Sequence, residues 1–201
     1  MSWQTFAAGA CIAAISSSVQ AQAPDLERAR KIASGSCVLC HGEHGESSSE
    51  VFPKLAAQHP GYIARQLAAF KSGARKSTSM RPMVGKLTED DMVALGVYYS
   101  QMPATANEVK DKDLATVGRY IYEHGNRFSG VAACAGCHGP NGAGTPTLPR
   151  LAGQNELYLE NQIKQFNKRE RTNDNAIMHT IASKMTELEM KAVAEYLSGT
   201  K

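Results

Sequence analysis

One pattern, Cys-x-x-Cys-His, occurs twice in this chain, as Cys37-Val38-Leu39-Cys40-His41 and as Cys134-Ala135-Gly136-Cys137-His138. The spacing answers a specific chemical need. Two thiols three residues apart on one helical turn can reach the two vinyl groups on one edge of a porphyrin, and the adjacent imidazole then reaches the iron. This is the c-type haem attachment signature. A thioredoxin-like pair, a zinc site and structural disulfides also use Cys-x-x-Cys, but none of them calls for the following His, and a zinc ribbon brings its two knuckles within about 15–20 residues of each other. The two motifs here are a domain's length apart. A chain carrying both has to enclose two large flat ligands, so its fold is expected to be built around two covalent haems.

The cysteine count follows from the first residues. Phe6 to Val19 is apolar or small, too short to span a bilayer, and runs into Val19-Gln20-Ala21, a small-x-small cleavage pattern. Residues 1–21 therefore read as an export signal cut after Ala21, with Ala23 as the alternative site, although no Lys or Arg precedes Arg28. Cys11 leaves with that segment, and the four remaining Cys are two per haem with none spare. Export followed by thioether formation places the protein in the periplasm. The formal charge of +3 falls near zero once about four propionate charges and two ferric cores are included, so the basic balance does not point to nucleic acid.

The halves match well beyond the motifs. Phe52-Pro53-Lys54-Leu55-Ala56-Ala57-Gln58 aligns with Leu148-Pro149-Arg150-Leu151-Ala152-Gly153-Gln154 at an offset of 96, which also pairs Tyr62 with Tyr158, Gln66 with Gln162, Phe70 with Phe166 and Arg75 with Arg171. Farther on, an offset of 98 pairs Met80 with Met178, Thr88 with Thr186, Met92 with Met190 and Tyr98 with Tyr196. This is a duplicated, all-α domain of three main helices. The first helix leads into each haem motif, over Asp25–Ser34 and Asp113–Glu123. A second follows at Tyr62–Lys71 and Leu157–Lys168. The last opens at a capping box, Thr88 with Asp91 and Thr186 with Glu189. The expected domains are residues 22–103 and 113–201, joined by a linker over 104–112 that is too short to let them wander far apart.

A six-coordinate haem needs a distal ligand, and repeat alignment sorts the methionines. Met83 and Met185 lack a sulfur partner in the other half and read as core fillers, while Met92 and Met190 recur on the apolar face of the last helix. Met80 and Met178 remain, each in a loop ahead of the capping box, as the expected distal partners of His41 and His138; Met83 beside Pro82 is the rival in the first half. The proximal imidazoles need acceptors for their other N–H, and the carbonyls of Pro53 and Pro149 are the candidates. Tyr62, Tyr158, Arg75 and Arg171 are candidate propionate donors, and equally packing residues and solvated charges. His44, His59, His124 and His179 have no repeat partner and read as surface or capping residues.

With these motifs, Phe52-Pro53-Lys54-Leu55-Ala56-Ala57-Gln58-His59-Pro60-Gly61-Tyr62, Phe70-Lys71-Ser72-Gly73-Ala74-Arg75 and a Met in each half, the chain resembles the dihaem cytochrome c4 family over essentially all of its length after the signal. The resemblance implies two tandem class I cytochrome c domains related by a pseudo-twofold axis, two covalently bound haem c groups, and axial pairs His41 with Met80 and His138 with Met178. It also implies an electron carrier rather than an enzyme, delivering electrons in a respiratory chain toward a terminal oxidase. The expected upstream donor is a cytochrome complex or copper protein, and peripheral membrane association is an open expectation. Two other readings remain: the dihaem subunit of a flavocytochrome sulfide dehydrogenase, whose flavin would sit on another chain because no Gly-x-Gly-x-x-Gly occurs here, and a dihaem peroxidase-like enzyme. The basic stretches Lys71–Arg81 and Lys164–Arg171 are candidate docking surfaces for acidic partners.

Overall fold

The computed structural model describes Met1, residues 23–47 and residues 49–201; the expected export signal lies outside the described residues apart from Met1. Among the described residues each half contains the three main helices expected and two short ones besides, five α-helices in all. The first half has α1 (Leu26–Ile32), α2 (Val38–His41), α3 (Pro60–Ser72), α4 (Met80–Val84) and α5 (Glu89–Ser100). The second has α6 (Lys112–His124), α7 (Ala135–His138), α8 (Glu156–Asn167), α9 (Ile177–Ala182) and α10 (Glu187–Gly199). Among the described residues the one β pairing is an isolated antiparallel bridge, Asn126 with Val131.

Local chemistry sets these boundaries. Asp25 caps α1 by accepting the Arg28 N–H at 2.9 Å. The helix then widens into a π-turn over Ala33–Cys37 before α2, where Ser34, Gly35 and Ser36 are poor helix formers. Both expected capping boxes form: Thr88 and Asp91 exchange backbone-to-side-chain bonds at 2.9 and 3.1 Å, and Thr186 and Glu189 do so at 2.7 and 3.2 Å.

In each half the first helix packs on the last, α1 on α5 and α6 on α10, and the second helix packs on the last as well, α3 on α5 and α8 on α10. Ala29, fully buried, faces this contact in the first half. In the second half Gly118 stands there, and α6 approaches α10 so closely that a Cβ on Gly118 would lie 1.8 Å from the carbonyl oxygen of Ala192. Only glycine permits that approach. Met92, Leu95 and Tyr99 fill the first core; Met190, Val193 and Leu197 fill the second. Asp91, itself 2 % exposed, ties α5 to α1 through a two-pronged ion pair with Arg28. The matching Glu189 instead accepts from Asn126 at 2.7 Å, a residue of the Asn126–Val131 hairpin.

The segment joining the halves is pinned at both sides. Asn107 bonds to α10 through the Ser198 carbonyl at 2.9 Å and the Ser198 hydroxyl at 2.8 Å, and buried Glu195 accepts the backbone N–H groups of Lys110 and Asp111. From the first half, the Lys54 ammonium donates to Asn107 at 2.7 Å. Among the described residues, no helix is long and apolar enough to cross a membrane.

Candidate functional site

Each half presents the same set of groups around its last turn of Cys-x-x-Cys-His helix. In the first half Cys37 ends the π-turn and Cys40 and His41 lie on α2; in the second Cys134 caps α7, which carries Cys137 and His138. The four thiols are free of disulfides. Burial pushes the Cys134 thiol up to about 11 and raises that of Cys37. Both imidazoles are buried, at 6 % and 9 % exposure. Burial pulls their pKa values down, against the opposing effect of a backbone hydrogen bond, and so favours the neutral ring.

That backbone bond runs to the Pro53 carbonyl at 2.8 Å from His41 Nδ1 and to the Pro149 carbonyl at a longer 3.4 Å from His138 Nδ1. With Nδ1–H donating, the lone pair on Nε2 of each ring is left for a metal. Met80 and Met178 are not in loops: each lies in the first turn of a short helix, α4 or α9. Side-chain caps hold these turns, Ser77 accepting the Met80 N–H at 3.1 Å and Asp174 accepting the His179 N–H at 3.0 Å. Asn175 and Ala176, both left-handed, turn the chain into α9, a conformation uncommon for residues with a Cβ.

The remaining methionines divide differently than expected in one case. Met92, Met185 and Met190 are core residues at 3 %, 8 % and 1 % exposure, whereas Met83 is 51 % exposed and fills no core. The reason is its place on α4, a single short helix that buries Val84 and leaves the neighbouring face open. His44 and His124 are exposed. His59 and His179 bond to the carbonyls of Ala143 and Phe166, each at 3.0 Å.

The paired arginines are not solvated charges. Arg75 and Arg171 are 8 % and 6 % exposed and lie at the seam between the halves. Arg75 donates to Gln66 at 2.8 Å within its own half, and to Tyr158 at 2.9 Å and Gln162 at 2.7 Å across the seam. Arg171 mirrors it, reaching Gln162 at 2.8 Å in its own half and Tyr62 at 3.1 Å and Gln66 at 3.2 Å in the other. Each guanidinium also stacks on a phenylalanine, Phe70 at 4.6 Å and Phe166 at 4.5 Å. All these partners are neutral. Burial works to raise the Tyr62 hydroxyl pKa, but Arg171 and then Arg75 outweigh it and hold the group below its ordinary value. An uncompensated positive field at a buried seam is a setting that carboxylates such as haem propionates complement. Arg150, next to Pro149, has a buried Nε with no partner.

The residues present thus fit a covalent haem in each half: paired thiols on one turn, a buried imidazole with its free nitrogen fixed by a carbonyl, a thioether on a separate short helix, and, at the seam, buried arginines whose partners among the described residues are neutral. Comparison with known proteins agrees. The family model described as cytochrome c matches twice, over residues 26–125 and 122–201. A cytochrome c4 of Thiocapsa roseopersicina is 39 % identical over 187 residues, covering 90 % of this chain and 96 % of that protein. The chain belongs to the cytochrome c4 family. The crystal structure of reduced recombinant cytochrome c4 from Pseudomonas stutzeri superposes with a TM-score of 0.84 at 31 % identity, covering 89 % of this chain and all of that one. A relative named thiosulfate dehydrogenase electron acceptor, from Thiomonas intermedia, is 34 % identical, covering 81 % of this chain and 77 % of that one. As a member of the cytochrome c4 family, the chain is a dihaem electron-transfer protein with two tandem class I cytochrome c domains and two covalent haem c groups.

Sequence reading missed the role of Gln58 and Gln154. Both are buried, at 6 % and 7 % exposure, and each reaches across the seam. Their recurrence at the same offset as the prolines was the available signal.

Proposed function

We propose that this cytochrome is an exported, periplasmic electron carrier of a respiratory chain that passes electrons toward a terminal oxidase. In this reading Cys37, Cys40, Cys134 and Cys137 form the thioethers, His41 with Met80 and His138 with Met178 ligate the irons, and Pro53 and Pro149 fix the proximal rings. Residues 22–103 and 113–201 act as the two domains, and 104–112 as the linker. A haem so held supplies a one-electron iron couple whose potential is raised by methionine ligation relative to bis-His. The chain's own task is to saturate both irons, exclude water and keep the two sites in one rigid frame. Arg75, Arg171, Tyr62 and Tyr158 serve that last purpose by clamping the seam, with their excess positive charge available to propionates.

The observation that carries the reading is the reciprocal seam, which joins two haem-holding halves symmetrically and gives them a fixed relation suited to electron exchange. The test is kinetic and spectroscopic. Reduced protein is expected to be inert to carbon monoxide at both haems and to be oxidised by membranes containing a terminal oxidase at a rate that falls as salt rises. Carbon monoxide binding at either haem would refute the carrier reading.

The likeness to the thiosulfate dehydrogenase electron acceptor favours a second reading, in which the electrons arrive from a sulfur-oxidising enzyme. Reduction of the oxidised protein by a purified thiosulfate dehydrogenase with thiosulfate, and not by thiosulfate alone, would support it.

A further inference from the structure

The peptide group that holds each proximal histidine is gripped by the other half. The Pro53–Lys54 peptide accepts His41 Nδ1–H on its carbonyl oxygen at 2.8 Å, and its N–H donates to Gln154 Oε1 at 2.7 Å. Gln154 also donates from Nε2 to the Lys54 carbonyl at 2.9 Å. The arrangement repeats in reverse. The Pro149–Arg150 peptide faces His138 Nδ1 at 3.4 Å, its N–H donates to Gln58 Oε1 at 2.9 Å, and Gln58 Nε2 donates to the Arg150 carbonyl at 2.9 Å. Each glutamine is anchored on its own side, Oε1 taking the N–H of the following residue, Asn155 at 2.9 Å or His59 at 3.0 Å.

We infer that Gln154 and Gln58 are positioning residues that tune the reduction potential of the haem in the opposite half. The physical route is short. A peptide whose N–H donates a hydrogen bond becomes a stronger acceptor at its carbonyl, because hydrogen bonds in a chain polarise one another, more so away from water. A stronger acceptor on Nδ1–H draws the proton away from the ring and makes the imidazole a more basic iron ligand. A more basic ligand favours the oxidised, more positive iron. Gln154 therefore lowers the potential of the His41 haem, and Gln58 lowers that of the His138 haem. Both glutamines are well buried, so the amide contacts are shielded from competing water.

This inference rests on His41 and His138 being the proximal ligands. The experiment uses the full dihaem protein and its Gln154→Met and Gln58→Met variants, in which length and apolar volume are kept and the amide is lost. Two measurements are made: proton NMR of the His Nδ1–H resonances in the diamagnetic ferrous protein, and a potentiometric titration resolved into two components. In Gln154→Met the His41 Nδ1–H resonance is expected to move upfield and one component of the titration to rise, while His138 and the other component stay in place. In Gln58→Met the opposite resonance and the opposite component move. Gln154→Glu, which keeps an oxygen at the Lys54 N–H, is expected to return the His41 resonance toward its original position. Movement of the resonance in the glutamine's own half, equal movement of both, or movement of neither overturns the inference. Absence of a ligated-imidazole Nδ1–H signal from the unsubstituted protein would overturn the ligand assignment and the inference with it.

Discussion

Replacing Arg75 by methionine tests whether the seam between the halves is a structural clamp. The substitution deletes three hydrogen bonds from a charged donor, to Gln66, Tyr158 and Gln162, and keeps an apolar side chain against Phe70. Bonds to a charged group contribute about 1.5–3 kcal/mol each, but the losses are uneven. Gln162 keeps Arg171, and Gln66 keeps both Arg171 and Asn173, whereas the Tyr158 hydroxyl loses its guanidinium. Removing a buried charge also relieves a desolvation penalty. The net expectation is a destabilisation of about 2–4 kcal/mol, which lowers the midpoint of thermal unfolding by roughly 5–15 °C for a chain of this size. The assay is calorimetry, with unfolding also followed in the Soret band at fixed redox state and salt. Arg75→Lys is expected to recover less than half of the loss, because one ammonium cannot bridge Gln66 and Tyr158 as a planar fork does. A double-mutant cycle with Tyr158→Phe should give a coupling of about 1 kcal/mol or more. A melting point within about 2 °C of the parent for Arg75→Met, or full rescue by lysine, would refute the clamp.

Gly118→Ala is expected to cost about 1–3 kcal/mol, because its Cβ would meet the Ala192 backbone at 1.8 Å and α6 must lift from α10; Gly85→Ala, whose Cβ would lie 3.7 Å from the Pro82 carbonyl oxygen, should change stability by less than about 1 kcal/mol in either direction, and chemical denaturation of both variants checks the contrast. The Asp91 carboxyl is held well below its ordinary pKa chiefly by the Arg28 hydrogen bond. Its contribution to stability is therefore fully present above the unfolded carboxylate pKa of about 4 and is lost as pH falls through the depressed folded value. Asp91→Asn should accordingly destabilise the protein at neutral pH, with the gap to the parent closing in acid, as denaturation midpoints taken across pH will show. Substituting Pro53 leaves the acceptor carbonyl in place but frees its loop, so Pro53→Ala should broaden the His41 Nδ1–H resonance while the His138 signal stays sharp.

Much of this architecture is legible in the residues because duplication supplies an internal comparison. The two haem motifs, the capping boxes at Thr88 and Thr186, and the proline carbonyls facing both imidazoles all stand at matching positions. The same comparison set Met80 and Met178 apart from the core methionines. What escaped it are features of tertiary context. The short helices around Met80 and Met178 depend on caps from Ser77 and Asp174, residues of different type in the two halves. In sequence Arg75 and Arg171 read equally as propionate donors and as packing residues or solvated charge, since nothing local shows that each is covered by the other half. Their burial also removes them from the basic stretches read as docking surfaces. Gln58 and Gln154 recur without declaring a partner, because the partner is the backbone of the opposite repeat and a backbone leaves no trace in side-chain pattern. Among the described residues the π-turn before Cys37 has no counterpart in the second half, where the Asn126–Val131 hairpin intervenes, so alignment could not have announced either one.

The central claim is that each half holds its own haem between a histidine and a methionine, and the Met-to-iron charge-transfer band of the oxidised protein tests it most directly. Measured on the parent, on Met80→Ala, on Met178→Ala and on the double variant, the band is expected to fall by about half in each single variant and to vanish in the double, with one titration component moving to lower potential in each single variant. A band that survives undiminished in either single variant would contradict the assignment for that half.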